Sequence, residues 1–388
     1  METGVQGSCD ARFAPLRAAF AESFAGGEVG AAVAVVMDGR PVVDLWGGCA
    51  DAGRTRPWQR DTIVNVFSTT KGMTALCLHR LVDQGRLDLD APVARYWPEF
   101  AAAGKEAIPV RWLLSHQAGL PAVRRRLPDD ALSHWPVLCE ALAAETPWWE
   151  PGTKHGYHAL TFGHLVGEVL RRIDGRSLGR FFREEVAAPL GLDFHVGLAE
   201  ADHARCADMI PPPKPPPGTP DLFAQLAKDP ESMTALAFDN PPRRDGAANS
   251  AAWRSAEIPA ANGHGTARAL ARAYGALAAG GSQDGVRVLS PESIARATEE
   301  QAFGPDAVLM GLPMRFGLGF FLTQPMIPLG PNPRAFGHPG AGGSIAFADP
   351  DARLGFAYVA NQMQQGMAGD ARGFSLIHAA YQSLGANG

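Results

Sequence analysis

Two Val- and Ala-rich runs near the N-terminus, residues 31–37 and 41–46, are separated by Asp38-Gly39. Both residues of that pair tolerate positive φ, so the pattern predicts a two-residue β-hairpin. The extended signature returns at 316–322, 343–349 and 354–360, the last two joined across Pro350-Asp351, a turn-forming pair. One antiparallel sheet is therefore expected to draw on both chain ends. Between them, apolar residues recur at helical spacing over 68–84, 110–114, 138–144, 160–172 and 267–279, with Gly85, Gly175 and Gly280 as stop signals. An α/β fold of the α+β type follows: a split domain of residues 1–85 and 281–388 around the sheet, holding a mainly helical domain over 86–280.

Residues 211–220 read PPPKPPPGTP. Most lack an amide donor and can be neither helix nor central strand, so a surface loop is expected, with a wall or lid beside a site as the functional alternative. The 388 residues are 46% apolar and 19% charged, which excludes a disordered chain and a coiled coil. A net charge of -5 offers no general attraction to nucleic acid or to an anionic membrane. Cys9, Cys49, Cys77, Cys139 and Cys206 are odd in number and form no CxxC pair, so reduced and mostly buried thiols are expected. No apolar run has signal-peptide or membrane-span length, and a soluble cytoplasmic protein acting on a small molecule is the expectation.

The chain contains no G-x-S-x-G, P-loop, H-E-x-x-H or G-x-G-x-x-G motif. His155, His158 and His164 cluster without a carboxylate at a metal-binding spacing, so they are read as structural; no metal and no cofactor is expected. Arg124-Arg125-Arg126 lacks interleaved aromatics and reads as a solvated loop. What remains is Ser68-Thr69-Thr70-Lys71 at a helix start. Residues three apart share a helix face, so Lys71 can lean toward the Ser68 hydroxyl, while the helix N-terminus favours a developing oxyanion. Lys71 also shares its face with Ala75, Leu78 and Val82; desolvation there disfavours the ammonium and makes a proton acceptor for a serine nucleophile. A capping serine followed by an ordinary snorkelling lysine is the alternative.

Four further stretches occur in order: Leu87-Asp88-Leu89-Asp90-Ala91-Pro92-Val93; Leu113-Leu114-Ser115-His116-Gln117-Ala118-Gly119-Leu120-Pro121; Pro151-Gly152-Thr153 with Tyr157; and Gly337-His338-Pro339-Gly340-Ala341-Gly342-Gly343. Together with the Ser68 motif they resemble the serine β-lactamase-like hydrolases over roughly residues 27–362, most nearly the class C-like branch that contains the family VIII carboxylesterases. The resemblance implies a sheet domain and a helical domain with the active site in the cleft between them. It also implies that Ser68 is the nucleophile, Lys71 the acylation base and Tyr157 a proton shuttle whose phenolate Lys71 would stabilise. The amides of Ser68 and Ala341 would form the oxyanion hole, and His338, Gly340 and Gly342 would contact substrate.

Class C β-lactamases carry Asn as the third residue of the Tyr motif and Lys-Thr-Gly in the glycine-rich segment. Here Ala159 and His338-Pro339-Gly340 stand instead, removing an amide contact and a permanent positive charge. Uncharged esters need neither, so a carboxylesterase acting on short-chain esters is expected. A β-lactamase, D-amino-acid peptidase or transacylase is the enzymatic alternative, and a non-catalytic binding protein on the same scaffold the remote one.

Overall fold

The computed structural model describes residues 4–214, 226, 228–242, 246–366 and 369–385. Its centre is a nine-stranded sheet of β1 (Gln6–Cys9), β2 (Gly30–Met37), β3 (Arg40–Gly48), β4 (Ala302–Pro305), β5 (Pro313–Phe316), β6 (Phe321–Leu322), β7 (Phe336–Pro339), β8 (Ile345–Asp349) and β9 (Leu354–Ala360). The spatial order is β1-β3-β2-β9-β8-β7-β6-β5-β4 and every pair is antiparallel. Both chain ends supply it, as expected. Asp38 (φ 48°) and Gly39 (φ 75°) make the hairpin between β2 and β3, the pair of left-handed residues that a turn matching strand twist requires.

Alternation along β2 divides the core. Ala31, Val33 and Val35 join one apolar cluster with Phe356 and Tyr358 of β9, and Ala32, Ala34 and Val36 join the other with Ala357 and Val359. The first face is covered by helix α1 (Ala14–Ala25), which buries Leu16 and Phe20, and by the C-terminal helix Ala371–Ser383, which buries Leu376, Ile377 and Tyr381. The second face meets α2 (Thr70–Asp83) and the mainly α segment: α3 (Val110–Leu114), α4 (Trp135–Ala144), α5 (Thr161–Asp174) and α6 (Ala267–Ala278). With these in place the C-terminal helix is α7. Although α6 falls within 86–280, it packs directly on β2, β8 and β9. Gly72 of α2 lets it approach α6 closely, since a Cβ there would stand 2.0 Å from the Tyr274 Oη.

Two expected strands differ. The run 316–322 breaks into β5 and β6 because Gly317 donates to the Phe320 carbonyl at 2.9 Å and Gly319 adopts φ 85°. A Cβ on Gly319 would meet Ala75 Cβ at 2.4 Å, so this turn nests against α2. In the run 343–349 the strand starts only at Ile345, after a 3₁₀ turn over Ala341–Gly343. All five cysteines are free thiols, four buried and Cys9 partly so. Among the described residues no helix is long and apolar enough to cross a membrane.

Candidate active site

A short ribbon of Val64–Asn65, His264–Gly265 and Phe194–His195 leads the chain into Ser68. The Val66 amide donates to Gly263 at 2.9 Å, and Phe67 then takes φ 45°, a left-handed conformation that disfavours an L-residue by about 1–2 kcal/mol. Thr70 holds that turn: its Oγ1 donates to the Phe67 carbonyl at 2.5 Å and accepts from the Gly263 amide at 2.8 Å. Ser68 therefore sits just ahead of α2, half-buried, with the Lys71 amide donating to its carbonyl at 2.9 Å. The expected helix start at 68 is displaced by this turn.

Lys71 is fully buried. Its Nζ lies 3.2 Å from Ser68 Oγ, 2.8 Å from the Ala159 carbonyl and 2.9 Å from the Ala260 carbonyl. Burial pushes the amine well below the ordinary lysine value, because the charged form is taken out of water. A neutral amine has two N–H groups and one lone pair. The two carbonyls accept the hydrogens, which leaves the lone pair for the Ser68 hydroxyl. The residue standing where class C enzymes have Asn thus contributes to the lysine through its backbone.

The Tyr157 phenol faces Ser68, and its ring centroid is 4.7 Å from Lys71 Nζ. Burial pushes this phenol above the ordinary value, against which the interaction with Ser68 acts. Two side chains fix the backbone here. Asp306 Oδ1 accepts from the amides of Tyr157 (3.1 Å), Val308 (2.8 Å) and Leu309 (2.8 Å), and His116 Nδ1 accepts from the His158 amide at 3.1 Å. His158 Nε2 accepts from the Leu120 amide while its Nδ1 donates to the Gly156 carbonyl, so the ring is neutral, and burial lowers it to about 3. His164 stacks on Trp135 and His155 faces Asp306.

Opposite Ser68, β7 runs into Gly340. An ideal Cβ there would lie 2.3 Å from the Val66 carbonyl oxygen and 2.2 Å from Ser344 Oγ. Ser344 Oγ donates to that same carbonyl at 2.8 Å and lies 3.3 Å from Thr69 Oγ1, fastening the glycine-rich segment to the nucleophile turn. Among the described residues neither the Ser68 amide nor the Ala341 amide has a backbone acceptor. Both remain available as donors. His338 is buried, its Nδ1 donates to the Pro339 carbonyl at 2.6 Å, and burial followed by the nearby Lys71 lowers it to about 3. Its ring centroid lies 6.1 Å from that of Tyr157, and it carries no charge at neutral pH.

A cavity of about 500 Å³ reaches this region at Phe67 and Ala341, with Phe238, Trp253, Met209 and Met363 around it; Ser68, Lys71 and Tyr157 are not among its lining residues. Pro211 and Pro212 form part of its wall; residues 215–220 of the proline-rich stretch lie outside the described residues. A larger cavity of about 610 Å³, between Trp97, Trp135 and Glu168, includes none of Ser68, Lys71, Tyr157 and Ala341. Asp306 and Ser344 escaped sequence reasoning because they act through backbone atoms. His116 lay within a quoted motif with no role attached.

An antiparallel sheet packed against a helical segment, with Ser and Lys at a helix start facing a glycine-rich strand, is the architecture of a serine hydrolase with the β-lactamase/transpeptidase-like fold. The chain belongs to the beta-lactamase family, whose model matches residues 11–380. The esterase/beta-lactamase LipL of Mycobacterium tuberculosis is 43% identical over 372 residues, covering 92% of this chain and 83% of LipL. The crystal structure of a family VIII carboxylesterase is similar with a TM-score of 0.91 at 46% identity, covering 98% of this chain and 100% of that one. EstA from Arthrobacter nitroguajacolicus gives a TM-score of 0.87 at 34% identity, covering 98% and 99%.

Proposed function

We propose that the protein is a carboxylesterase that hydrolyses short-chain carboxylic esters through an acyl-enzyme on Ser68, with Lys71 and Tyr157 as its proton-transfer groups. The observation that carries this is the Lys71 amine, buried and held by two carbonyls with its third direction 3.2 Å from Ser68 Oγ. Lys71 takes the hydroxyl proton as Ser68 attacks the ester carbonyl, a transfer contributing on the order of 10²–10⁴ in rate. The resulting oxyanion lies between the amides of Ser68 and Ala341, each contributing about 10²–10³. The proton passes through Tyr157 to the departing alkoxide, the alcohol leaves, and water repeats the sequence in reverse to release the acid and restore Ser68. Gly340 and Gly342 let the strand approach the substrate, and His338 lies with them along the substrate-binding strand.

The leaving group decides between esters and lactams. With His338 uncharged and a methyl at Ala159, nothing at those two positions orients a lactam carboxylate or side-chain amide; the adjoining cavity holds Arg126, which is paired with Glu231, and drawing a carboxylate into its mostly apolar lining is unfavourable. A neutral ester meets no such penalty. The names of the family VIII carboxylesterase and EstA support the same choice, while that of LipL carries both esterase and beta-lactamase. The test is labelling of the purified protein with a fluorophosphonate, followed by rates on p-nitrophenyl esters. Ser68 should carry the label and ester turnover should be fast; a label found elsewhere, or no ester turnover, overturns the proposal.

A further inference from the structure

Behind the glycine-rich turn, on the side away from Ser68, lies a buried polar cluster that the proposed chemistry does not use. Arg372, at the second position of α7, donates from Nη1 to Glu28 Oε2 at 2.8 Å, and from Nη2 and Nε to Asp370 Oδ2 at 2.6 and 3.1 Å. Asp370 is the cap of that helix, its Oδ1 accepting from the amides of Arg372 and Gly373 at 2.9 and 3.2 Å. Glu28 is buried and also accepts from Tyr358 Oη. Three side chains, Glu28 before β2, Tyr358 of β9 acting through Glu28, and Asp370 at the cap of α7, thus hold one guanidinium in a single orientation. Replacing a buried ion pair by apolar residues is often neutral for stability, so stability alone is a weak reason for the cluster.

The remaining bond of the fork points at the site. Arg372 Nη2 donates to the Gly342 carbonyl at 3.0 Å, which also accepts from the Gln364 amide at 3.1 Å. The turn is pressed against the guanidinium so closely that a Cβ on Gly343 would lie 2.1 Å from Asp370 Oδ2 and 2.8 Å from Arg372 Nη2. Ala341 is therefore bracketed: Ser344 ties the turn to Val66 on the nucleophile side, and Arg372 ties it to the sheet and α7 behind. A planar fork fixed by two carboxylates suits this task, since a flexible ammonium does not hold a carbonyl in one direction.

We propose that Arg372 is a positioning residue for the oxyanion hole, its guanidinium, anchored by Glu28 and Asp370, fixing the Gly342 carbonyl and so the direction of the Ala341 amide. The inference rests on the reading of that amide as the second oxyanion donor. Losing the anchor lets the turn relax away from the tetrahedral oxygen, and displacement by about 1 Å lowers turnover by roughly 10²-fold. Ground-state binding, which depends on the apolar cavity, changes little.

The test compares Arg372→Ala, Arg372→Lys and Glu28→Gln with the unaltered protein. It measures kcat and KM on p-nitrophenyl butyrate and inhibition by an alkyl trifluoromethyl ketone, which places an oxyanion in the hole. For Arg372→Ala, kcat and ketone affinity are expected to fall together by about 10- to 100-fold, with KM within about twofold and partial recovery in millimolar guanidinium; Arg372→Lys should fall less. Retention of both quantities within about threefold, or loss of kcat with ketone affinity kept, overturns the proposal. Should Arg372→Ala fail to fold, the other two variants decide by the same paired criterion. Ala341→Pro removes the amide itself. Unchanged ketone affinity there refutes Ala341 as donor, whereas its loss alongside unaffected Arg372 variants refutes only the role of Arg372.

Discussion

Substituting Gly340 by Ala isolates the approach of the glycine-rich strand to the nucleophile. Gly340 has φ -122° and ψ 154°, extended backbone that alanine adopts freely, so any effect is steric. The added Cβ would stand 2.3 Å from the Val66 carbonyl oxygen, 2.2 Å from Ser344 Oγ and 2.9 Å from Thr69 Oγ1, where real Cβ contacts essentially never fall below 3.0 Å. Ser344 can rotate, losing its bond to Val66, which contributes about 0.5–1.5 kcal/mol. The Val66 carbonyl cannot, because its own turn sets the position of Ser68. The strand must therefore retreat by several tenths of an ångström, carrying the Ala341 amide with it. A displacement of that order lowers kcat by about 30- to 100-fold, or roughly 2–2.7 kcal/mol of transition-state stabilisation, and overpacking lowers stability by about 1–3 kcal/mol. Turnover of p-nitrophenyl butyrate and thermal unfolding, measured on one preparation, separate the two effects. The double variant Gly340→Ala/Ser344→Ala should stay impaired, since the clash with Val66 remains. A Gly340→Ala protein whose kcat stays within threefold of the native value would show that the strand is not held against the nucleophile turn as described.

Ser68→Ala should abolish ester hydrolysis while the protein keeps its thermal transition, and adding Lys71→Ala or Tyr157→Phe should reduce the residual rate little further, because the three act as a unit; near-native turnover by purified Ser68→Ala would remove the nucleophile assignment. The active form of Lys71 is the free base, and burial lowers its amine well below 10.5 while raising the Tyr157 phenol, so kcat should rise toward mildly alkaline pH; a maximum in acid with a fall above neutrality contradicts the scheme. Catalytic efficiency on nitrocefin should lie far below that on p-nitrophenyl butyrate, given an uncharged His338 and no side-chain amide at Ala159; equal efficiencies would make the β-lactamase reading the better one. Acyl chains from acetyl to about hexanoyl should be preferred in a cleft bounded by Phe67, Phe238 and Pro211; faster turnover of the palmitate than of the butyrate would refute this.

Apart from the sheet shared by both chain ends, what could be read from the sequence was mostly local. The β2–β3 hairpin follows from Asp38-Gly39, and the pairing of Ser68 with Lys71 was legible from their spacing of three at a helix start, although Ser68 lies in the turn just ahead of α2. Desolvation of Lys71 was legible from its apolar helix face. The state of Tyr157 was not, since its burial comes from Phe316, His116 and His338, distant in the chain. Asp306 reaches the Tyr157 amide across 149 residues and Arg372 reaches Glu28 across 344, contacts that carry no periodic signature. Phe67 runs against its own preference, because a bulky aromatic is a poor candidate for positive φ and only the surrounding bonds impose it. The break at Gly319 likewise depends on Ala75 pressing from α2.

The position of β9 bears on how the chain can be synthesised. This strand, formed by residues near the end of the sequence, lies between β2 and β8 in the middle of the sheet. Until Leu354–Ala360 has left the ribosome, the N-terminal hairpin and the β8-to-β4 half have no hydrogen-bonded connection. Each exposes an open edge to the other and to neighbouring nascent chains. Joining them closes a loop of some three hundred residues, the kind of non-local pairing that makes folding slow. A ribosome that stops before residue 354 therefore releases a chain with its serine, lysine and tyrosine all translated but no continuous sheet to hold the oxyanion turn opposite them. Hydrolytic activity in a translation reaction should accordingly appear only once residues 354–360 have been synthesised, and products truncated before them should be found among the aggregates.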